Sequence, residues 1–220
     1  MAAHRKGYRG IGMEGTIATW YAKNTGRDLT RFKKVADEVQ RQVPVGARIL
    51  EIAPGPGFCA IEIARTGRYD VTGLDISESF VRIAREHAAS EGVEVDFRQG
   101  NASAMPFEDG AFDFVTCHAA FKNFTDPVGA LNEMHRVLKP GGTASIYDLR
   151  KDASLDEIDQ EVQGMNLSPL SAVFTKWTFR LLLLRRAYHR DALRQMAMRS
   201  RFGGCDIVEK GIGLEMRCKS

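Results

Sequence analysis

Cysteine is scarce in this 220-residue chain, and its four copies (Cys59, Cys117, Cys205, Cys218) form no C-x-x-C pair and no zinc spacing. A disulfide scaffold and a zinc module are thereby excluded; the thiols read as reduced, in a cytoplasmic protein with no metal site. The basic start MAAHRKGYRGIGMEG lacks an apolar core, so no secretory signal is expected. Long apolar runs are missing too. The greasiest stretch, Leu170 to Leu184, is broken by Lys176 and Arg180 and is too short to span a bilayer. The net charge is only +3, with basic residues mostly interleaved with acidic ones, which argues against a nucleic-acid binder. One tract departs from that mixing: Arg180, Arg185, Arg186, Arg190, Arg194, Arg199 and Arg201 are opposed by Asp191 alone. A solvated helix face is the plain reading, and contact with an anionic membrane surface or an acidic partner the sharper one. No internal repeat or low-complexity tract is present.

What is there is an ordinary globular composition, 44% hydrophobic and 27% charged, that fits one domain with an appendage. From residue 47 apolar runs alternate with helix-like segments. ARILEIA reads as a buried strand and Phe58 to Arg65 as a helix. YDVTGLD is a second strand, followed by a helix that Ser77 can cap. VEVDFRQ alternates with period two and reads as a third strand, FDFVTCH as a fourth. Asp126-Pro127 then opens a helix with Leu131, Met134, Val137 and Leu138 on one face, stopped by Lys139-Pro140-Gly141-Gly142. TASIYDL is a fifth strand. Strict alternation predicts parallel strands joined by right-handed crossovers, an open doubly wound α/β sheet. CDIVEKG and LEMRCKS read as an antiparallel pair at the sheet edge. The expected organisation is one domain: an N-terminal helical lid over 1–45, a ligand-binding core over 46–150, a helical cap over 151–200 and a closing hairpin over 201–220. Packing on an exposed sheet face is the alternative for both helical regions.

In RILEIAPGPGFCAIEIA an apolar strand runs directly into two glycines and two prolines before a helical pattern resumes. A turn without Cβ atoms after the first strand lets a ligand lie against the main chain and the helix N-terminus. Gly55-x-Gly57-x-x-Ala60 also fits the loose dinucleotide pattern. Asp75 ends the second strand, eighteen residues after Gly57, where a carboxylate can accept both hydroxyls of a ribose. NAD and S-adenosylmethionine both qualify at this point.

LEIAPGPG, VTGLDIS, GNASAMPFEDGAFDFV and RVLKPGG, in this order and spacing, resemble the class I S-adenosylmethionine-dependent methyltransferases. The resemblance implies a Rossmann-like sheet of seven strands with the last one antiparallel, and S-adenosyl-L-methionine as cofactor. It also implies roles. Glu51 and the loop Ala53, Pro54, Gly55 and Gly57 face the methionine part; Asp75 holds the ribose, with Ile76 against the adenine. Asn101 and Ala102 bind the adenine edge, and His118 starts the segment beside the sulfonium. The family usually has glycine where Ala53 stands and aspartate where Asn101 stands. CHAAFKNFTDPVGALNEMHRVLKPGG is similar to the ubiquinone/menaquinone biosynthesis C-methyltransferases, with Phe121, Lys122 and Asn123 before the helix and lysine where arginine is common. Tyr21 is a candidate to close over the cofactor.

Methyl transfer is an in-line displacement that depends mainly on alignment, and a base is needed only for a hydroxyl or enol-like acceptor. His118 is the candidate base, with an ordinary pKa of about 6.5; a structural role is the alternative. Cys117 lacks the preceding proline of RNA cytosine methylation, and the D/N-P-P-Y/F run used for exocyclic amines is absent. The expected activity is methylation of a small acceptor. Val173, Trp177, Leu181 and Leu184 fall on one helical face, which suits an apolar or aromatic one. A non-catalytic S-adenosylmethionine-binding protein and an NAD-dependent oxidoreductase remain alternatives, and a homodimer stays open.

Overall fold

The computed structural model describes residues 7–9, 12–26, 29–164 and 184–220. Seven strands form one sheet: β1 (Arg48–Ile52), β2 (Asp70–Asp75), β3 (Asp96–Gln99), β4 (Phe112–His118), β5 (Leu138–Leu149), β6 (Asp206–Lys210) and β7 (Gly213–Lys219). Their order is β3-β2-β1-β4-β5-β7-β6. β1 pairs in parallel with β2 and β4, and β7 runs antiparallel between β5 and β6. The inserted β7 is the expected departure from an all-parallel dinucleotide-binding sheet. The helices are α1 (Gly15–Thr25), α2 (Thr30–Gln40), α3 (Phe58–Ala64), α4 (Glu78–Ser90), α5 (Pro127–Val137), α6 (Leu155–Gly164) and α7 (Arg190–Arg199).

Alternation along the strands sorts the core into two layers. Ile49, Val71 and Phe114 pack with α2, α3 and α4, whereas Leu50, Ile52, Val115 and Cys117 pack with α5 and α7. The caps form as their residue types dictate. Ser77 Oγ accepts from Phe80 N–H at 3.0 Å, and Asp126 Oδ1 from Gly129 N–H at 2.8 Å.

Two expectations are corrected. The third strand covers only Asp96–Gln99, because Val93 and Val95 pack against the core without pairing. α5 ends at Val137, and Leu138 already pairs with Phe112, so Lys139–Gly142 lie inside β5 across a register shift. Gly141 has φ +81° and a Cβ on Gly142 would meet Lys139 O at 2.9 Å, which is a bulge and not a stop. Of the apolar stripe, Val173, Trp177 and Leu181 lie outside the described residues, and Leu184 sits in a single turn, Leu184–Arg186. All four cysteines are free, as expected. Among the described residues no helix is long and apolar enough to cross a membrane, and no group of side chains could hold a metal ion.

Candidate functional site

Glu51, Asp75 and His118 stand at or next to the carboxyl ends of β1, β2 and β4, on the same face as Ile49, Val71 and Phe114. Ligands of open α/β sheets sit outside these strand ends. Between β1 and α3 the loop turns sharply: Ala53, Gly55 and Gly57 take φ of +56°, +57° and +84°. Ala53 thus holds a left-handed conformation that costs a non-glycine residue about 1–2 kcal/mol. Ala119, next to His118, repeats it at φ +56°. Strain in two loops facing one site is the pattern of a ligand clamp.

The two glycines differ in purpose. A Cβ on Gly55 would meet nothing within 4 Å, so its missing side chain leaves open space beside the loop. A Cβ on Gly57 would meet Phe97 at 2.8 Å and Ala84 at 2.9 Å, and its N–H donates to Pro54 O. The expectation that Gly57 keeps a side chain out of the ligand's space is corrected: it lets α3 pack against α4 and β3.

Both carboxyls are buried. Glu51 is pushed up to about 8 by burial, against the pull of Ala60 N–H and the Cys59 thiol, with Asp75 adding repulsion. Its Oε2 has no partner. An orphaned carboxylate oxygen at a glycine loop lacks a donor that a ligand's ammonium would supply. Asp75 is raised to about 6 by burial, opposed by the N–H groups of Ser77 and Gly55. Those two N–H groups donate to Oδ1 and Oδ2 at 2.9 Å each. A carboxylate has about four acceptor sites, so two remain for hydroxyls. Asp75 therefore also ties the glycine loop to the start of α4, a second duty that sequence did not show.

The residues expected at the adenine, Ile76, Asn101 and Ala102, are half-buried. Asn101 Oδ1 accepts from Ser103 N–H at 3.0 Å, closing a local turn, so the oxygen expected to take an adenine amino group is already in use and has one lone pair left. Gly7 lies against Ile76 and Asn101: a Cβ there would fall 2.6 Å from Ile76 Cδ1. Ala102 packs at the edge of the α5-side core.

Tyr21 rests edge-on against Phe80 at 5.7 Å. α1 is tied down beside Asp75, with Ser77 Oγ donating to Met13 O at 2.6 Å and Gly15 N–H to Ser79 Oγ at 2.9 Å. Tyr8 was missed by sequence reasoning. It bridges to Phe124, and burial raises its hydroxyl's pKa, with Arg186 opposing and Tyr21 and Asp75 adding. Its only sequence signal is a tyrosine after a glycine in a stretch without periodicity.

His118 departs from expectation. Its Nε2 lies 2.7 Å from Thr116 Oγ1, its Nδ1 is shielded and unpaired, and desolvation lowers its pKa to about 4, against the carboxylates of Glu215, Glu38 and Asp148. It is a neutral imidazole across the physiological range, a weaker proton acceptor than an ordinary histidine. Lys122 and Asp148 were not singled out as a pair. Lys122 Nζ reaches Asp148 Oδ1 at 2.7 Å and Ala119 O at 2.5 Å, and both side chains are only 5% exposed. This buried ion pair fixes the turn that follows His118.

Residues 50–146 match the family described as "Methyltransferase domain". The demethylmenaquinone methyltransferase of Thermus thermophilus is 41% identical over 124 residues, 56% of this chain and 56% of its own length. The ubiquinone/menaquinone biosynthesis C-methyltransferase UbiE of Marinomonas sp. is 34% identical over 147 residues, 65% of this chain and 53% of its own. The chain spans about half the length of these relatives. A solved S-adenosyl-L-methionine-dependent methyltransferase structure from Methanococcus maripaludis, titled putative, superposes with TM-score 0.72 at 18% identity, covering 95% of this chain and 94% of that one. It shows the fold alone. The [4+2]-cyclase SpnF superposes with TM-score 0.59 at 25% identity, covering 80% of this chain and 58% of that one.

Proposed function

We propose that this chain, which has the class I S-adenosylmethionine-dependent methyltransferase fold and a methyltransferase domain over residues 50–146, moves a methyl group from S-adenosylmethionine to a small apolar or aromatic acceptor. The observation that carries the reading is the unpartnered Oε2 of buried Glu51 beside the left-handed loop. An ammonium at that oxygen would satisfy both its hydrogen bond and its charge, and the donor's methionine part has one. Asp75 takes the ribose hydroxyls, Ile76 packs on the adenine, and Asn101 and Ala102 line its edge. Tyr21 covers the site from α1. S-adenosylmethionine supplies an electrophilic methyl on a sulfonium, whose positive charge is lost as the methyl moves. The protein's work is to hold the acceptor in line and exclude water, which contributes roughly 7–11 kcal/mol by alignment alone. His118 walls the methyl side as a neutral imidazole. It takes a proton only from an acceptor whose own acidity makes that transfer favourable.

A second reading has one observation in its favour: the same fold serves a protein titled a cyclase, and fold does not fix chemistry. The discriminating experiment is calorimetry with S-adenosylhomocysteine, followed by methyl-labelled S-adenosylmethionine offered with a panel of phenols, hydroquinones and amines. Binding is expected, weakened at least tenfold in Asp75→Asn, whose lost charge-assisted bonds are worth about 1.5–3 kcal/mol. NAD should not bind. Labelled product supports methyl transfer, and tight binding with no labelled product from any acceptor supports the reading in which the fold binds S-adenosylmethionine without transferring its methyl. NAD binding without S-adenosylhomocysteine binding would sink both.

A further inference from the structure

We propose that the methyl acceptor carries a carboxylate or phosphate group, held in a basic cavity beside the strand ends. This rests on the methyltransferase reading and narrows its substrate class. A cavity of about 320 Å³ is lined by Arg9, Lys122, Lys151, Arg185, Arg186 and Tyr188. Its size falls at the lower end of small-molecule sites. Lys122 is neutralised by Asp148 at its floor. Among the described residues, Arg9, Lys151, Arg185 and Arg186 form no ion pair with any carboxylate.

Two arginines elsewhere contrast with that. Arg136 is paired with Glu133 and Asp109, and Arg150 with Glu157, Glu209 and Asp152. A cavity of this volume is about one Debye length (~8 Å) across, so four unpaired cations around it repel one another. An anion between them relieves that repulsion.

Position ties the cavity to the chemistry. Lys122 holds the carbonyl of Ala119, next to His118. Arg9 N–H donates to Asn123 O at 2.7 Å, and Lys151 N–H to Tyr188 O at 3.1 Å. The N-terminal segment, the turn after β4 and the end of β5 therefore meet here. Tyr8, next to Arg9, feels both Arg186 and Asp75. Tyr188 packs near Phe121 at 6.2 Å and supplies an apolar wall. An aromatic or aliphatic body with one acidic group fits that mixture. The arginines that in sequence looked like one solvated helix face are here divided: Arg185 and Arg186 turn to the cavity, and Arg190 lies near Glu209.

The test is calorimetry on protein saturated with S-adenosylhomocysteine, at low salt, with phenyl phosphate, benzoate and inorganic phosphate as probes. Saturable binding is expected, weakening as salt rises and falling at least tenfold in the double variant Arg185→Gln/Arg186→Gln. Phenyl phosphate binding above benzoate assigns a phosphate, and the reverse a carboxylate. S-adenosylhomocysteine affinity should stay within twofold of the parent. A tenfold loss there would overturn the proposal and give the cavity to the cofactor's own carboxylate. No probe binding to a protein that still binds S-adenosylhomocysteine would overturn it alone, and no S-adenosylhomocysteine binding would overturn the methyltransferase reading with it. Phosphatidylglycerol vesicles bound through these arginines while the small probes fail would also overturn it, in favour of a membrane surface.

Discussion

Glu51 should make the ligand-free protein lose stability as pH rises through neutrality, and Glu51→Gln should abolish the loss. Burial holds the carboxyl at about 8 in the fold, against an ordinary 4.5. Between those limits the unfolded chain has released its proton and the folded chain has not. Stability therefore falls from pH 4.5 to pH 8 and is level above. At about 1.36 kcal/mol for each pH unit between the two values, the loss is at most on the order of 5 kcal/mol. Water admitted around the ionised group would reduce it, so glutamine should restore about 2–5 kcal/mol at high pH. For a chain of this size that is roughly 5–15 °C in Tm. Glutamine keeps an acceptor for the Ala60 N–H and carries no charge. Asp75, raised to about 6, puts a second, lower fall in the profile that both proteins share. The assay is thermal unfolding from pH 5 to pH 9 without ligand. The two proteins should coincide near pH 5 and separate by pH 8.5, the variant melting higher. The same variant should bind S-adenosylhomocysteine tenfold to a hundredfold more weakly, by loss of one charge-assisted hydrogen bond of about 1.5–3 kcal/mol. Parallel melting profiles, or a variant less stable at pH 8.5, would refute the reasoning, since Glu51 would then be ionised and satisfied in the fold.

Two further tests separate the ligand site from its scaffold. Gly57→Val should cost about 2–5 kcal/mol of stability by overpacking and left-handed strain, while Gly55→Ala should cost only about 1–2 kcal/mol yet weaken S-adenosylhomocysteine by filling the open space at the loop. Urea unfolding paired with calorimetry checks this, and a Gly55→Ala protein with unaltered affinity would show that the ligand does not approach there. Lys122→Met should cost about 3–5 kcal/mol by stranding the buried Asp148. Adding Asp148→Asn, which keeps an acceptor for the Lys122 N–H, should recover at least half; strictly additive losses in urea unfolding would mean the pair is not coupled.

What was legible in the sequence was what local chemistry decides. β1, β2 and β4 stood out as apolar runs because they are buried on both faces, and Ser77 and Asp126 cap as their side chains require. Lys139-Pro140-Gly141-Gly142 misled because a bulge and a chain break use the same residues. Pairing of Leu138 with Phe112 chooses between them, and that partner lies on another strand. The alternation of Val93 and Val95 was real, but alternation records burial and not pairing. Both side chains pack against the core outside the strand.

The candidate site divides along the same line. Spacing gave the position of Asp75 and the family resemblance that of Glu51, since a strand end and a motif are local features. Their state was not legible, because the burial that raises one to about 8 and the other to about 6 comes from α1, α3 and α4 closing over them. His118 shows the reverse error: an exposed imidazole suits proton uptake near neutrality, and the shielding that lowers it to about 4 is tertiary. The basic cavity is the extreme case. Arg9, Lys151 and Arg185–Arg186 are far apart in the chain, and each alone is an ordinary surface cation. Once the fold gathers them they line one cavity, and Tyr8 feels both Arg186 of that cavity and the buried Asp75. An anionic acceptor would be drawn to these cations before any shape is matched.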